Sequence, residues 1–258
     1  SQQQYVTLHL HTEYSLLDGA IRTTQLCEFA KENNMPAVAI TDHGVMYGAL
    51  DLYIHAKDIG VKPIIGCEFY VTTGDIKDKS QNNREYFHLV LIAKNETGYK
   101  NLIKLVSIAQ IDGFYYNPRI NYELLKTYHE GLICLSACLQ GEICQTLLKK
   151  SYQETLEVAK FYKELFNDDY YLEIQDHGLP DQKRTNPDII KIGKELDIPL
   201  VITNDSHYLK KEDANWHDTL LCIQTNSLKE DTNRFRFSND EFYVKTVDEL
   251  RESFKWLD

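Results

Sequence analysis

His9 and His11 stand two residues apart in Leu8-His9-Leu10-His11, a spacing that puts both imidazoles on one face of an extended chain. Asp205 and His207 repeat that relation in Asn204-Asp205-Ser206-His207. Five more groups of metal-binding type lie between them. They are Asp18, His43 in Thr41-Asp42-His43-Gly44, Glu68 in Gly66-Cys67-Glu68-Phe69, His88 in Phe87-His88-Leu89-Val90, and Cys138 in Ser136-Ala137-Cys138. Imidazole and carboxylate are the usual ligands of Zn, Mn and Fe, carboxylates also take Mg, and a thiolate shifts the preference toward Zn. Nine such groups exceed the needs of one ion, so two to three divalent metals are expected, with Zn, Mn, Mg and Fe all open. Clustered cations of this kind activate water against phosphate esters. A His-x-His pair alone is a weak signal. A single Glu68 or His88 is more often a satisfied polar group at a strand end, and a single Cys138 a buried small residue. The weight lies in their joint recurrence.

The elements that must present these groups are legible as alternating patterns. Apolar or β-branched runs at 5–10, 37–41, 63–71, 86–93, 132–135, 170–174 and 199–203 read as seven strands. Helical periodicity occupies 23–33, 47–59, 98–109, 141–149, 153–166 and 186–196, with two further helices near 213–224 and 247–256. Thr23 or Thr24 is the expected cap of the first helix. Repeated βα units without interruption predict an α/β fold and favour a closed barrel over an open doubly wound sheet, with the active groups at the carboxyl ends of the strands. The nine candidate groups follow those strand ends or lie within the strands. Asp42 reads as a partner that orients a histidine. His55, His129 and His217 fall on helical or loop patterns and read as packing or surface residues. His177, after the sixth strand in Gln175-Asp176-His177-Gly178, stays open between a site role and packing.

Composition narrows the class further. At 258 residues the chain suits a single domain, with the barrel over about 4–225 and a C-terminal extension over 226–258. No apolar run approaches the length of a membrane span, and residues 1–5 are too polar for a secretion signal. The six cysteines, 27, 67, 134, 138, 144 and 222, form no CxxC pair; all but Cys138 read as buried thiols, which with the missing signal points to a reducing cytoplasm and to no membrane partner. A net charge of −11 repels a phosphate backbone at long range, although bound cations would invert the field locally. The sequence has no GxGxxG, no Walker loop and no GxSxG elbow. Ser136 and Cys138 could serve as nucleophiles, but the surplus of ligands makes metal-activated water simpler. The stretch Gly113-Phe114-Tyr115-Tyr116-Asn117-Pro118-Arg119 is aromatic and basic. Tyr115, Tyr116 and Arg119 are therefore candidate substrate contacts, set against the alternative of a packing loop.

At these residues the sequence resembles the PHP (polymerase and histidinol phosphatase) family, and within it the domains of bacterial DNA polymerase III alpha subunits. The segments that carry the resemblance are LHLHTEYSLLDG (8–19), PAVAITDHGVMYG (36–48), KPIIGCEFYV (62–71), HLVLIAKNETGYKNLIKLVS (88–107), GLICLSACLQGEI (131–143) and ITNDSHYL (202–209). RFRFSNDEFYVKT (234–246) also looks like the exit of such a domain toward a polymerase core. The resemblance implies a distorted (βα)7 TIM-like barrel with a three-metal site at the C-terminal ends of its strands. His9, His11, Glu68 and Asp205 would hold one ion and form the catalytic centre. Asp18, His43 and His207 would hold a second, and His88 and Cys138 a third, with Glu68 bridging. Asp18 and Cys138 stand where stand-alone phosphatases often carry His. The implied activity is metal-dependent 3′–5′ exonuclease (proofreading) cleavage of DNA ends. The implied partners are single-stranded DNA or a primer 3′ end, the remainder of the polymerase alpha chain, and a proofreading subunit. A stand-alone phosphomonoesterase of the histidinol-phosphatase kind and a non-catalytic docking module are the competing readings.

Overall fold

The computed structural model describes residues 4–15 and 18–257. They fall into two compact units, each assembled from separated stretches of chain. One holds the residues up to Asp42, Tyr47–Ile64 and those from Asn204 on; the other holds His43–Met46 and Ile65–Thr203.

In the first unit, α1 (Thr23–Glu32) packs on α2 (Ala49–Ile59) through Leu26, Cys27 and Ala30 of the former and Leu52 and Ala56 of the latter. Arg22, not a threonine, occupies the N-cap of α1, and its side chain makes no capping bond; Thr23 is already helical and buried. α2 ends at Gly60, whose φ of 78° only glycine adopts without strain, and Val61 N then donates to Ala56 O at 2.8 Å. β1 (Ala37–Ile40) is buried throughout. The expected strand over 5–10 contracts to a bridge between Leu10 and Ser206. His11 N donates to Ser206 O, Ser206 N to His9 O, and Thr41 N to Leu10 O. Asp205, at φ 47°, turns the backbone out of extended geometry beside this bridge and stops a ladder from continuing. α8 (Ala214–Thr225) and α9 (Val247–Ser253) complete the unit; Thr246 and Glu249 cap α9 reciprocally.

The second unit is organised on a curled half-barrel sheet. β2 (Lys62–Thr72) is buried without a break from Gly66 to Thr72, as a strand covered on both faces must be. Its neighbours are β3 (Phe87–Ala93) and β5 (Asn117–Asn121), and the sheet continues from β3 through β6 (Leu132–Leu135) and β7 (Tyr170–Ile174) to β8 (Leu200–Ile202). β6, β7 and β8 are parallel, as expected, and so are β2 and β5. β3 runs antiparallel to both β2 and β6, which distorts the barrel pattern. Its register sets His88 across from Tyr70, so its first residues meet the far end of β2.

The aromatic stretch read as a loop is a hairpin: β4 (Phe114–Tyr115) returns to β5 through Tyr116 at φ 61°. α3 (Glu96–Ile111) starts where Asn95 accepts from Gly98 N at 2.9 Å. α4 (Tyr122–Tyr128) was not foreseen and is capped by Asn121. α5 (Glu142–Lys149) and α6 (Tyr152–Phe166) follow the expected bounds. α7 (Pro180–Leu196) begins six residues before the expected 186, because Pro180 rather than Pro187 takes the first-turn position while Pro187 lies inside the helix.

Candidate metal centre

In the first unit the backbone bridge at Leu10 and Ser206 brings two short segments together side by side. His11 Nε2 lies 2.9 Å and His9 Nε2 3.3 Å from Asp205 Oδ1. On the other side of His11, the His207 ring stands 4.4 Å away between centroids, and His207 Nε2 is 3.3 Å from Asp18 Oδ2. Atoms bound at about 2.1 Å to one ion stand roughly 3–4 Å from each other, so these separations suit shared cations. His9 and His11 are fully buried.

Hydrogen bonds orient the rings. His207 Nδ1 lies 2.7 Å from the Asp205 carbonyl, which can only accept, so Nδ1 carries the proton and Nε2 the lone pair facing Asp18. Asp42 accepts from Thr12 N at 2.6 Å, Thr12 Oγ1 at 2.8 Å and Ser15 Oγ at 3.0 Å. Ser15 has one proton and gives it to Asp42, so its oxygen can accept from His11 Nδ1 at 3.4 Å. His11 Nε2 then faces a carboxylate oxygen at 2.9 Å. Two electron-rich atoms that close need a proton or a cation between them. The donor chemistry therefore fits divalent metal, and Asp42 has the orienting role expected of it. Burial raises the Asp42 carboxyl above its ordinary value despite the bonds from Thr12 and Ser15 and the nearby His11. Burial also works to raise Asp205, but His9, His207 and His11 outweigh it and hold its carboxyl well below the usual carboxylate range.

The second unit gathers His43, Glu68, His88 and Cys138. Ligand atoms of His43, Glu68 and His88 lie within 4.8 Å of one another. His88 Nδ1 touches Glu68 Oε1, and His43 Nδ1 is 3.6 Å from Glu68 Oε2. Glu68 is 1% exposed, a burial that a carboxylate sustains only with positive charge beside it. Topology produces the grouping. His43 bridges to Glu68, with Gly44 N donating to Glu68 O at 2.8 Å. The antiparallel β3 delivers His88 from its first turn of chain, and His88 N donates to Gln140 O, which keeps the segment after β6 alongside. Cys138 Sγ ends 3.7 Å from His88 Nδ1.

The sequence assigned no site role to two supporting residues. Glu173, 1% exposed at the end of β7, accepts from Ala137 N at 3.1 Å and from Thr203 Oγ1 at 2.6 Å. It thereby pins Ala137, which sits at φ 68°, next to Cys138. Nothing in the single sequence separates Glu173 from an ordinary strand residue. His217, read as packing, is buried, and its Nε2 donates to the Asp18 carbonyl at 2.6 Å. Its signal was its place on the buried face of α8, with Leu221 one turn on. His177 pairs with Gln182, its Nδ1 2.8 Å from Gln182 Nε2. The substrate candidates lie elsewhere in the second unit. Arg119 is fully buried and donates to the carbonyls of Gly113, Asn83, Ile76 and Asp78. It staples loops rather than presenting a guanidinium to a phosphate. Tyr116 is exposed, with Arg84 4.2 Å over its ring, and Tyr115 lies beneath Arg119.

The chain is 43% identical to DNA polymerase III subunit alpha of Borreliella burgdorferi, over 99% of its own length and 22% of that protein. It is 48% identical to the Campylobacter jejuni protein of the same name over 97% of its length and 22% of the relative, and 44% to that of Thermus aquaticus over 97% and 21%. It thus spans about a fifth of these relatives. A crystal structure of a protein from Bifidobacterium adolescentis assigned as a metal-dependent phosphoesterase superposes with a TM-score of 0.51 at 14% identity, covering 98% of this chain and 96% of that one. An amidohydrolase from Chromobacterium violaceum gives 0.50 at 14% identity over 78% of this chain and 87% of its own. At that identity both show the α/β fold alone. The model of the PHP domain matches residues 7–177, well over half the sequence and all but two of the nine candidate ligands, so the chain belongs to the PHP domain family.

Proposed function

We propose that this chain is a metal-dependent phosphoesterase domain of a DNA polymerase III alpha subunit that removes nucleotides from DNA 3′ ends. The observation that carries it is the approach of carboxylates to imidazole nitrogens: Asp205 to His9 and His11, Asp18 to His207, Glu68 to His43 and His88. With Cys138 these are the nine residues that would hold two to three divalent cations. When bound, such ions acidify water and neutralise charge on phosphoryl oxygens. The chain's own work is positioning. Asp42 and Ser15 hold the His11 ring so that Nε2 faces Asp205. The Asp205 carbonyl fixes the His207 tautomer, and Glu173 holds the turn that bears Cys138. The polymerase context rests on relatives 43–48% identical across nearly the whole chain. Buried thiols, with no disulfide among the described residues, suit a cytoplasmic setting, and no helix among them is long and apolar enough to cross a membrane.

Elemental analysis together with a nuclease assay decides the matter. Protein loaded with Mn, Zn or Mg is expected to retain two to three ions per chain and to shorten a labelled primer from its 3′ end. Loaded protein that leaves phosphodiester intact but hydrolyses histidinol phosphate would make it a monoesterase. Loaded protein that cleaves neither, and merely melts higher than stripped protein, would make it a docking module.

A further inference from the structure

The first unit contains a cavity of about 390 Å³ lined by Tyr208, His217, Arg234, Arg236, Phe237 and Ser238, among others. It lies against the candidate ligands without containing them. The Phe237 ring stands 4.8 Å from that of His207, and His217, its neighbour at 4.9 Å, holds the Asp18 carbonyl. In a chain of net charge −11, the local balance is inverted. Arg234 grips Asp218 with two bonds, of 2.6 and 2.8 Å, and Lys229 and Arg236 also act on that carboxylate, which lies below its ordinary value. Arg234 is committed by this clamp. Arg236 is not: it is exposed, and among the described residues no carboxylate lies within ion-pair distance of it. The structure therefore offers a guanidinium beside a hydroxyl, Ser238, and an aromatic wall made by Phe237 and Tyr208.

We propose that this cavity is a nucleotide subsite in which Arg236 binds the phosphate of the residue next to the ester that is cut. The inference rests on the phosphoesterase reading above and names where its DNA strand is held. A guanidinium is the side chain best shaped to take a phosphate through paired hydrogen bonds. The volume lies within the range of about 300–1,000 Å³ typical of ligand pockets and exceeds what one oxyanion fills. Aromatic walls suit a sugar and base rather than a bare anion. The subsite would also let an acidic domain hold DNA at one point while repelling it elsewhere.

The test uses the 258-residue chain stripped of metal, so that it reads the cavity and not the cations. Thymidine monophosphate and inorganic phosphate are titrated by calorimetry into wild type, Arg236→Gln and Lys255→Gln; the last removes one exposed charge far along the sequence. The nucleotide is expected to bind wild type and Lys255→Gln alike, more tightly than inorganic phosphate does, and to bind Arg236→Gln about tenfold more weakly or worse. Metal content and circular dichroism of Arg236→Gln should match wild type. Absence of nucleotide binding, binding indifferent to Arg236→Gln, or equal affinity for inorganic phosphate overturns the proposal. If the metal-loaded chain cleaves no DNA at all, the phosphoesterase reading fails, while the nucleotide titration still decides the cavity.

Discussion

Asp42 shows how a residue outside the candidate ligands can position one of them. It holds Ser15, Ser15 holds His11 Nδ1, and His11 Nε2 thereby faces Asp205. Asp42→Asn keeps the shape and the oxygen shared by Thr12 N and Ser15 Oγ, but turns an amide N–H toward Thr12 Oγ1 and removes the negative charge behind the Ser15–His11 contact. We expect metal affinity to fall about 10–100-fold by competition with a chromogenic chelator; unchanged affinity would show that the relay is decorative. Thiol reactivity gives a second reading at this scale. Burial, helped by Glu28, pushes the Cys27 thiol up to about 11, and burial pushes Cys144 up to about 12. At pH 8 their reactive thiolate is then about one part in a thousand or fewer. Of the six cysteines Cys138 alone is half-buried, the other five buried. Iodoacetamide at pH 8 should therefore label Cys138 first in stripped protein, with Cys27 and Cys144 responding only as pH climbs toward 11, and added Zn should protect Cys138. Mass spectrometry showing Cys27 labelled first would contradict this. The candidate ligands were legible as candidates because His9 and His11, and Asp205 and His207, stand two apart in short unusual strings. Glu173 and His217 were not, since their importance lies in backbone groups they reach across the fold, which residue type does not reveal.

Elements were legible as far as periodicity reaches. Alternation tells which face of a strand is buried but not which way the strand runs, so β3 read as one more parallel strand while the structure reverses it. That reversal is what brings His88 to Glu68. The first strand shrank to a bridge because a left-handed Asp205 lies beside it, a conformation no pattern announces. Helix starts were misplaced where two prolines competed, as in α7. Close approach between elements is equally invisible. At Gly98, a Cβ would sit 1.8 Å from the Gly131 carbonyl oxygen. Intrinsic propensity favours alanine in a helix by about 1 kcal/mol, but overpacking against backbone costs about 1–3 kcal/mol. Gly98→Ala should therefore lower stability in urea denaturation, by up to about 2 kcal/mol. A stabilised variant would mean that the Gly131 segment yields easily.

For the whole molecule, stability against acid draws on a few charges buried with partners. Lys245 is 2% exposed, and its Nζ meets Glu241 Oε2 at 2.9 Å, while Lys211 meets Glu241 Oε1 at 2.9 Å. Burial works to raise the Glu241 carboxyl, but the two lysines hold it below its ordinary value of 4.5. A depressed carboxyl contributes stability that is fully present above the ordinary value and is lost as pH falls through the folded one. Glu241→Gln should cost about 1.5–3 kcal/mol at pH 7, the worth of hydrogen bonds to charged groups, and nearly nothing once both states are protonated. Thermal melts from pH 7 to 3 check this; a constant deficit at every pH would assign the effect to packing instead.

The interleaving of the two units carries a consequence for biosynthesis. The second unit is complete once Thr203 has been added, whereas the first, begun earlier, still lacks residues 204–258, which supply Asp205, His207 and α8. Emerging from a ribosome at roughly 5–20 residues per second, the chain can therefore form the curled sheet while His9 and His11 await their carboxylate. The half begun first is the half finished last.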